Sequence, residues 1–427
     1  MKILWVKTGG LLPLDTGGKI RSYHILRELA RRHDVTLFTF YPEHANDIHG
    51  ELTQILSRVI LHSLRIPRAR SFRSVAHYAR HFISLMPYQI AKYSTVEVAA
   101  ALDKLIQQET FDLIVCDFLA PAGIIPWNNP CPKVLFTHNV EAQIWKRHLE
   151  VARNPLWKAI CWREYQATVR AERRYLNLAD HVLTVSGTDR DIFAQFVPTE
   201  KISVIPTGVD VDFFRPAELE DQPDSLVFTG SMDWMPNEDA IFFFVENILP
   251  RIRSKVPDVT LRVVGRRPSA RLLELAGTTQ GLQITGAVED IRPHVLGAAA
   301  YIVPLRVGSG TRLKIFEAMA MGKAVVSTSI GAEGLPVHSG RDILIADHPN
   351  EFADVVVSLL QDRERRCEIG RAARTLVEQR HNWESVGRYF ESVLESVVKK
   401  DSHGELERSS PELIRPIILS AESGQSD

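Results

Sequence analysis

The chain has 427 residues. A single hydrophobic core rarely grows past about 250–300 residues, so two domains are expected. Apolar residues make up 45%, charged residues 24%, and the net charge is -1. These values are ordinary for a soluble globular protein and give no global pull toward nucleic acid.

In chain order, the opening "MKILWVKTGG" has an apolar run too short for a signal-peptide core. No later stretch approaches the ~18 apolar residues of a membrane span. The apolar runs "ILWV", "VTLFTF", "LIVC", "VLF", "VLTV" and "ISVI" predict strands in the first half. "LVFT", "LRVV", "YIVPL", "AVVS" and "ILI" predict strands in the second. Continuous apolar runs fit parallel strands buried on both faces. Helical spacing lies between them, as in 19–32, 237–253 and 289–299, so the expected class is α/β with right-handed crossovers.

Several stretches interrupt this rhythm. From Ser57 to Val96 there is no acidic residue, while Arg58, Arg65, Arg68, Arg70, Arg73, Arg80 and Lys92 interleave with aromatic residues. That composition suits either a solvated basic face or contact with anionic lipid. An aromatic-rich helical pattern runs over 142–178, with a break expected at Asn154-Pro155. Pro206, Pro216 and Pro223 and an acidic run place a linker at 207–224. The domains are then 1–206 and 225–383, with a helix over 384–400 that packs back on the first domain. The polar tail 401–427 is expected to be disordered. Cys116, Cys131, Cys161 and Cys367 are scattered, without zinc-site spacing. They fit a reducing compartment, so the expected location is cytoplasmic.

The residues able to do chemistry cluster after "YIVPL", in "RVGSGTRLKIFEAMAM". Gly308 and Gly310 allow close backbone approach to a ligand. Amides at a helix start hold phosphate, and Arg312 and Lys314 add charge-assisted bonds. Lys314 and Glu317 share one helical face. A surface helix with a Lys314–Glu317 ion pair is the plainer alternative. In the first half, Gly17 and Gly18 follow strand one in "LLPLDTGGKIRSY", with Thr16 placed to cap the next helix. Asp117 and His138 each end a strand. Asp117 suits an acceptor hydroxyl or a helix cap. Asp210-Val211-Asp212 is a DxD, weighed low as a metal site because no second carboxylate cluster supports it. Glu333 in "GAEGL" suits either a donor contact or a turn.

The order of "VIPTGVDVDFFRP", "FTGSMDWMPNEDAI", "VVGRRP", "ITGAVEDI" and "VPLRVGSGTRLKIFEAMAMGKAVVSTSIGAEGL" resembles retaining glycosyltransferases of family 4, nearest to sugar transferases of exopolysaccharide clusters. The resemblance implies a GT-B fold: two doubly wound Rossmann-like domains facing across a cleft. It implies an acceptor side in the first domain and a nucleotide-sugar site in the second. It gives Glu317 the ribose, His138 the donor sugar, and Gly17 and Gly18 the donor phosphate and acceptor. It places Gly230 and Glu333 among the donor-binding residues.

The pattern departs in two places. The first glutamate of the family's E-x7-E motif falls at Ser309. The family's basic pair is absent from "GSMDWMPNEDA", where Met232, Asp233 and Asn237 stand, so Arg312 and Lys314 are expected to hold the diphosphate, with Arg266 or Arg267 as weaker candidates. The implied reaction moves a sugar from a UDP- or GDP-linked donor to a glycan or lipid-linked acceptor, with retention and with neither metal nor separate cofactor. Peripheral contact of 57–96 with an anionic membrane is kept as an alternative to a solvated basic face, and no nucleic-acid partner is expected from the net charge. A sugar-nucleotide epimerase, a non-catalytic sugar-nucleotide binder and a dinucleotide oxidoreductase are the competing readings. The last lacks a complete GxGxxG.

Overall fold

The structure is a computed structural model and describes residues 1–14, 16–41, 50–64, 72–82, 86–152, 154–217, 222–307 and 313–409. Among them, two parallel sheets form. The first holds β1 (Lys2–Thr8), β2 (Asp34–Tyr41), β3 (Arg58–Ser63), β4 (Leu113–Asp117), β5 (Lys133–Phe136), β6 (His181–Thr184) and β7 (Ile202–Val204), in the order β3-β2-β1-β4-β5-β6-β7. The second holds β8 (Gln222–Thr229), β9 (Thr260–Val264), β10 (Leu282–Ile284), β11 (Ala298–Val303), β12 (Val325–Ser327) and β13 (Leu344–Ile345), in the order β10-β9-β8-β11-β12-β13. Both are doubly wound, and each strand order reverses at one switch point, between β1 and β4 and between β8 and β11. Ligands in such sheets sit outside the carboxyl ends of the strands at that point.

The central strands are apolar on both faces and fully buried: Ile3, Leu4, Trp5 and Val6 in β1, and Leu113 to Cys116 in β4. Two strands escaped the sequence reading. β3 alternates half-buried with exposed positions, so its apolar run is broken by Arg58 and His62. β10 has only three residues.

The helical pattern at 142–178 divides as expected, into Glu141–Val151 and Pro155–Leu178. Asn154 caps the second helix, its Oδ1 accepting from the amides of Leu156 and Trp157. β8 opens at Gln222, inside the stretch read as linker. The last helix runs Trp383–Ser409, so residues 401–409 are helical rather than part of a disordered tail. Residues beyond 409 lie outside the described set.

That last helix completes the core of the first domain. Trp383, Val386, Phe390, Val393, Leu394 and Val397 are buried with Trp5, Ile25, Leu29 and Phe136. Trp383 stacks on His24 at 4.8 Å with rings almost parallel. Gly208 lies beneath the same indole, where a Cβ would come within 2.4 Å of it. Trp383→Ala should cost about 3–5 kcal/mol, the usual range for a buried large aromatic. Urea unfolding followed by fluorescence measures this. A loss below about 1 kcal/mol would show that the helix is not part of this core.

Candidate active site

At the first switch point, register pairs Lys7 of β1 with Asp117 of β4. The Lys7 ammonium lies 3.0 Å from Asp117 Oδ2, and both side chains are almost completely buried. Two buried charges need near-complete compensation. Asp117 gains it from three further donors: Trp5 Nε1 at 2.9 Å, Ser22 Oγ at 2.7 Å and His138 Nε2 at 2.7 Å. Burial pushes the Asp117 carboxyl up, but Lys7, His138 and Ser22 together outweigh it and hold it well below the usual carboxylate range.

Asp117 therefore neither caps the following helix nor faces an acceptor. It positions other groups. With Nε2–H donating to Asp117, the neutral His138 ring presents Nδ1 as an acceptor, and Arg21 Nη1 lies 3.5 Å from it. Burial holds the His138 pKa down at about 4, with Arg21 and Lys7 adding to the effect against the pull of Asp117. His138 is 4% exposed. The expected contact of its ring with a donor sugar is not available in this arrangement, because both nitrogens face protein groups. One ring face is covered by Phe118, stacked at 3.8 Å.

Phe118 itself has φ 73, rare for a side-chain-bearing residue. Backbone held there stores strain, as at many functional sites. Gly18 is required by this same ring: a Cβ on Gly18 would sit 2.4 Å from Phe118 Cζ. Gly17 faces the second domain, its Cβ position 3.2 Å from Leu313 Cδ1. Thr16 stands at the N-cap of the helix Gly17–Ala30, but its side chain makes no capping bond. Arg21, three residues on from Gly18, is buried and donates through Nη2 to Thr207 Oγ1 at 2.8 Å. It serves the domain junction rather than a ligand.

In the second domain, Gly308, Ser309, Gly310 and Arg312 lie outside the described residues. The helix Leu313–Ala320 that follows them carries Lys314 and Glu317. Lys314 Nζ donates to Asn237 Oδ1 at 2.8 Å and lies 4.1 Å from the centre of the Phe228 ring. It thus reaches across to the carboxyl end of β8. Gly230 makes room for it, since a Cβ there would be 2.7 Å from Lys314 Nζ and 2.6 Å from Asn237 Nδ2. Glu317 does not pair with Lys314, as the plainer reading of this helix had it. Among the described residues its carboxyl has no hydrogen-bond partner. Burial pushes it up to about 7 against the pull of Lys314. Met321, on the same face, is core.

Arg266 Nε donates to Ser231 Oγ at 3.0 Å, and Arg267 pairs with Asp233 at 2.9 Å, both near the end of β8. Glu333 is exposed and lines a cavity of about 210 Å³ between the domains, with Asn139, Arg147, Ser186 and Asp189 opposite. The DxD is spent locally: Asp210 Oδ1 accepts from the amides of Asp212 and Phe213 to close a turn.

Sequence reasoning passed over Glu141 and read Lys92 only as part of a basic stretch. Both line a cavity of about 300 Å³ at the ends of β1 and β4, with Lys7, Lys19, Tyr93 and Phe118. The signal for Glu141 was its place three residues after His138, at the start of a helix.

The buried histidine gives a pH test. An unfolded imidazole takes a proton below about pH 6.5, whereas folded His138 resists it until about 4. Protons favour the unfolded chain in that window, so the histidine's contribution to stability is lost as pH falls from about 6.5 toward 4. The stability gap between wild type and His138→Gln should narrow by about 2 kcal/mol between pH 7 and pH 5. Urea titrations at both pH values measure it. A constant gap would show that His138 is not held neutral.

Comparison with known proteins agrees with this fold. Residues 16–213 match the family model described as Glycosyltransferase Family 4, and residues 223–362 match that described as Glycosyl transferases group 1. A 44.6 kDa protein from the cps region of Klebsiella pneumoniae is 22% identical over 398 residues, 90% of this chain and 97% of that one. A GDP-mannose-dependent alpha-(1-6)-phosphatidylinositol monomannoside mannosyltransferase of Mycobacterium tuberculosis is 29% identical over 240 residues, 50% of this chain. The aligned part spans about three-fifths of that relative, 61% of its length. The crystal structure of HepE from Anabaena in complex with UDP superposes with a TM-score of 0.66 at 16% identity, covering 93% of this chain and all of that one. With two matched models and two doubly wound sheets, the chain belongs to the family 4 glycosyltransferases and has the GT-B fold.

Proposed function

We propose that this glycosyltransferase moves a sugar from a UDP- or GDP-linked donor to a glycan or lipid-linked acceptor, with retention of anomeric configuration and without a divalent ion, in the synthesis of a surface polysaccharide or glycolipid. One observation carries the reading. Lys314 and the Glu317 carboxyl, unpartnered among the described residues, stand on one helix at the second switch point, and that helix faces Gly17 across the domain junction.

Breaking a sugar–phosphate bond builds positive charge at the anomeric carbon and negative charge on the leaving diphosphate. Stabilising that anion is the main task, and a preorganised donor contributes roughly 3–4 kcal/mol to it. Lys314 supplies one such donor. Its tether to Asn237 puts the ammonium at the end of β8, near where the family's own basic pair would stand. Arg312 is proposed as the second cation, with the amides of Gly308 and Gly310. Glu317 accepts from the ribose hydroxyls. In the retaining route the departing phosphate takes the acceptor proton, so no enzymic nucleophile is needed. The use of Asp210 in a turn supports a metal-free reaction.

HepE was crystallised in complex with UDP, and the mycobacterial relatives are GDP-mannose-dependent. Both bases are therefore tested. Thermal unfolding with UDP and GDP in EDTA should show stabilisation by one of them, about 2.7 kcal/mol at 100 times the Kd, and Glu317→Ala should abolish most of it. No shift with either nucleotide would sink the donor reading. A shift without transfer or donor hydrolysis would favour a binding protein. Hydroxyls donating to Glu317 favour its charged form, so wild-type affinity should rise between pH 6 and pH 8 more than that of Glu317→Gln. Calorimetry at both values reads the difference, and parallel pH profiles would remove Glu317 from the ribose.

The membrane contact is proposed at a shifted place. No helix among the described residues is long and apolar enough to cross a membrane. Phe82 is 46% exposed, and beside it the helix Pro155–Leu178 exposes Leu156, Trp157 and Trp162 by 72%, 44% and 58%. Exposed Arg80, Lys146 and Lys158 accompany them. Aromatic side chains with basic neighbours suit an anionic interface. The protein should float with phosphatidylglycerol vesicles at low salt but not with neutral ones, and Trp157→Ser with Trp162→Ser should weaken this. Equal recovery with both lipids would end the proposal.

A further inference from the structure

The first domain carries a groove of about 760 Å³ between the turn that follows the short helix Ala120–Gly123 and the last turns of the helix Pro155–Leu178. That long helix ends just before β6 starts at His181, and the turn leads into β5 at Lys133. These walls therefore sit toward the amino ends of β5 and β6, whereas the cleft lies at the carboxyl ends of the strands. The volume falls within the range of small-molecule sites, about 300–1,000 Å³.

Trp127 is the fixed wall. Its Nε1 donates to the carbonyl of Ala122 at 2.8 Å, and its ring packs on Tyr175 at 5.6 Å, tilted by 33°. The two contacts hold the half-buried indole in one orientation. An aromatic face held in place suits the C–H face of a sugar ring. Beside it stand Arg173 and Arg174, both exposed. Among the described residues neither guanidinium has a hydrogen bond or an ion pair, and that of Arg174 lies 5.7 Å from the centre of the Tyr175 ring. Cations near a helix C-terminus often serve its free carbonyls, but here other groups do. Asn177 Nδ2 donates to the carbonyl of Arg173 at 2.7 Å, the amide of Ala179 to that of Tyr175 at 3.0 Å, and Lys201 Nζ to that of Asn177 at 2.9 Å. The described lining holds no carboxylate, and Asn128 adds an exposed amide able to donate and accept. Two arginines with no acidic neighbour in the groove favour an anion there, and the guanidinium fork matches a carboxylate or phosphate with paired bonds.

We propose that this groove is a second carbohydrate site, outside the cleft, that takes an acidic oligosaccharide. Trp127 stacks on a sugar ring, Asn128 bonds its hydroxyls, and Arg173 and Arg174 hold its carboxylate or phosphate. A neutral glycan lacks the group that the arginines match, and a bare anion lacks the ring that Trp127 matches. The site uses none of the side chains assigned to sugar transfer, so it holds a glycan whether or not the cleft is occupied.

The full chain is titrated with trigalacturonate, maltotriose and inorganic phosphate by calorimetry. Trigalacturonate should bind at least about tenfold tighter than either of the others. Arg173→Gln combined with Arg174→Gln should weaken it about tenfold or more, as expected for loss of charge-assisted bonds. Added salt should weaken trigalacturonate binding to wild type more than to this variant. Trp127→Leu should weaken trigalacturonate as well and leave phosphate unaffected. An unchanged urea midpoint shows that a variant is folded; should Trp127→Leu fail this check, the exposed arginine pair still decides. Saturation with UDP or GDP should leave the affinity for trigalacturonate unchanged. Competition by either nucleotide would put the glycan in the cleft and overturn the proposal, as would equal binding of maltotriose or indifference to both arginines. Phosphatidylglycerol vesicles whose flotation depends on the two arginines, with trigalacturonate unbound, would overturn it in favour of lipid. If no nucleotide stabilises the chain, the donor reading fails instead, and the same titrations still read the groove.

Discussion

The first domain is organised around the ion pair of Lys7 and Asp117, buried where its strand order reverses. Removing both charges from water costs several kcal/mol per ion unless hydrogen bonds replace the lost hydration. Asp117 meets that demand with Trp5, Ser22 and His138 in addition to Lys7. Each of those partners then has a fixed place. Ser22 sets the rotation of the helix Gly17–Ala30, and with it where Gly17, Gly18 and Arg21 lie. His138 is held in one tautomer, which fixes the ring on which Phe118 stacks. Two walls of the cavity at the ends of β1 and β4, Lys7 and Phe118, are thus tied to this pair of charges. Breaking the pair would leave an uncompensated charge in the core, so its stability and its geometry are not separable.

The second domain's switch point is arranged differently. Lys314 is steadied by a neutral amide, Asn237, and by the face of Phe228. Glu317 is left unpartnered among the described residues. The contrast between the fully matched Asp117 carboxylate in one half and the Glu317 carboxyl, unpartnered among the described residues, in the other fits the proposal of a first domain that shapes the pocket and a second that holds the charged donor.

Much of this was legible in the sequence and some was not, for physical reasons. Strands buried on both faces read as apolar runs, so the central strands of both sheets were plain, as was the helix break at Asn154-Pro155. β3 was hidden because one of its faces is half exposed. The partnership of Lys7 with Asp117 joins strands more than a hundred positions apart, and nothing local announces it. His138 sat at the expected strand end, but its burial depends on Phe118 and Arg21, brought in from elsewhere. Gly18 looked like a phosphate-loop glycine, whereas Phe118 requires it. Glu141 escaped notice because what marks it is a carboxyl without a partner among the described residues, which is visible only in three dimensions.

The return of the last helix has a consequence for how the halves move. The chain crosses between domains twice, after β7 and again before Trp383, and the crossings are bonded to each other. His381 Nδ1 lies 3.0 Å from the carbonyl of Thr207, and the amide of Val209 donates to the carbonyl of His381 at 2.7 Å. The same Thr207 receives Arg21, which faces His138, and the His381 ring stacks at 4.4 Å on Phe316, the neighbour of Glu317. A contiguous chain of contacts therefore runs from Asp117 through His138, Arg21, Thr207 and His381 to the donor-side helix. Any closing of the cleft must bend both crossings together, because shearing one against the other would break buried hydrogen bonds on each. The junction thus favours a hinge over independent sliding of the two sheets.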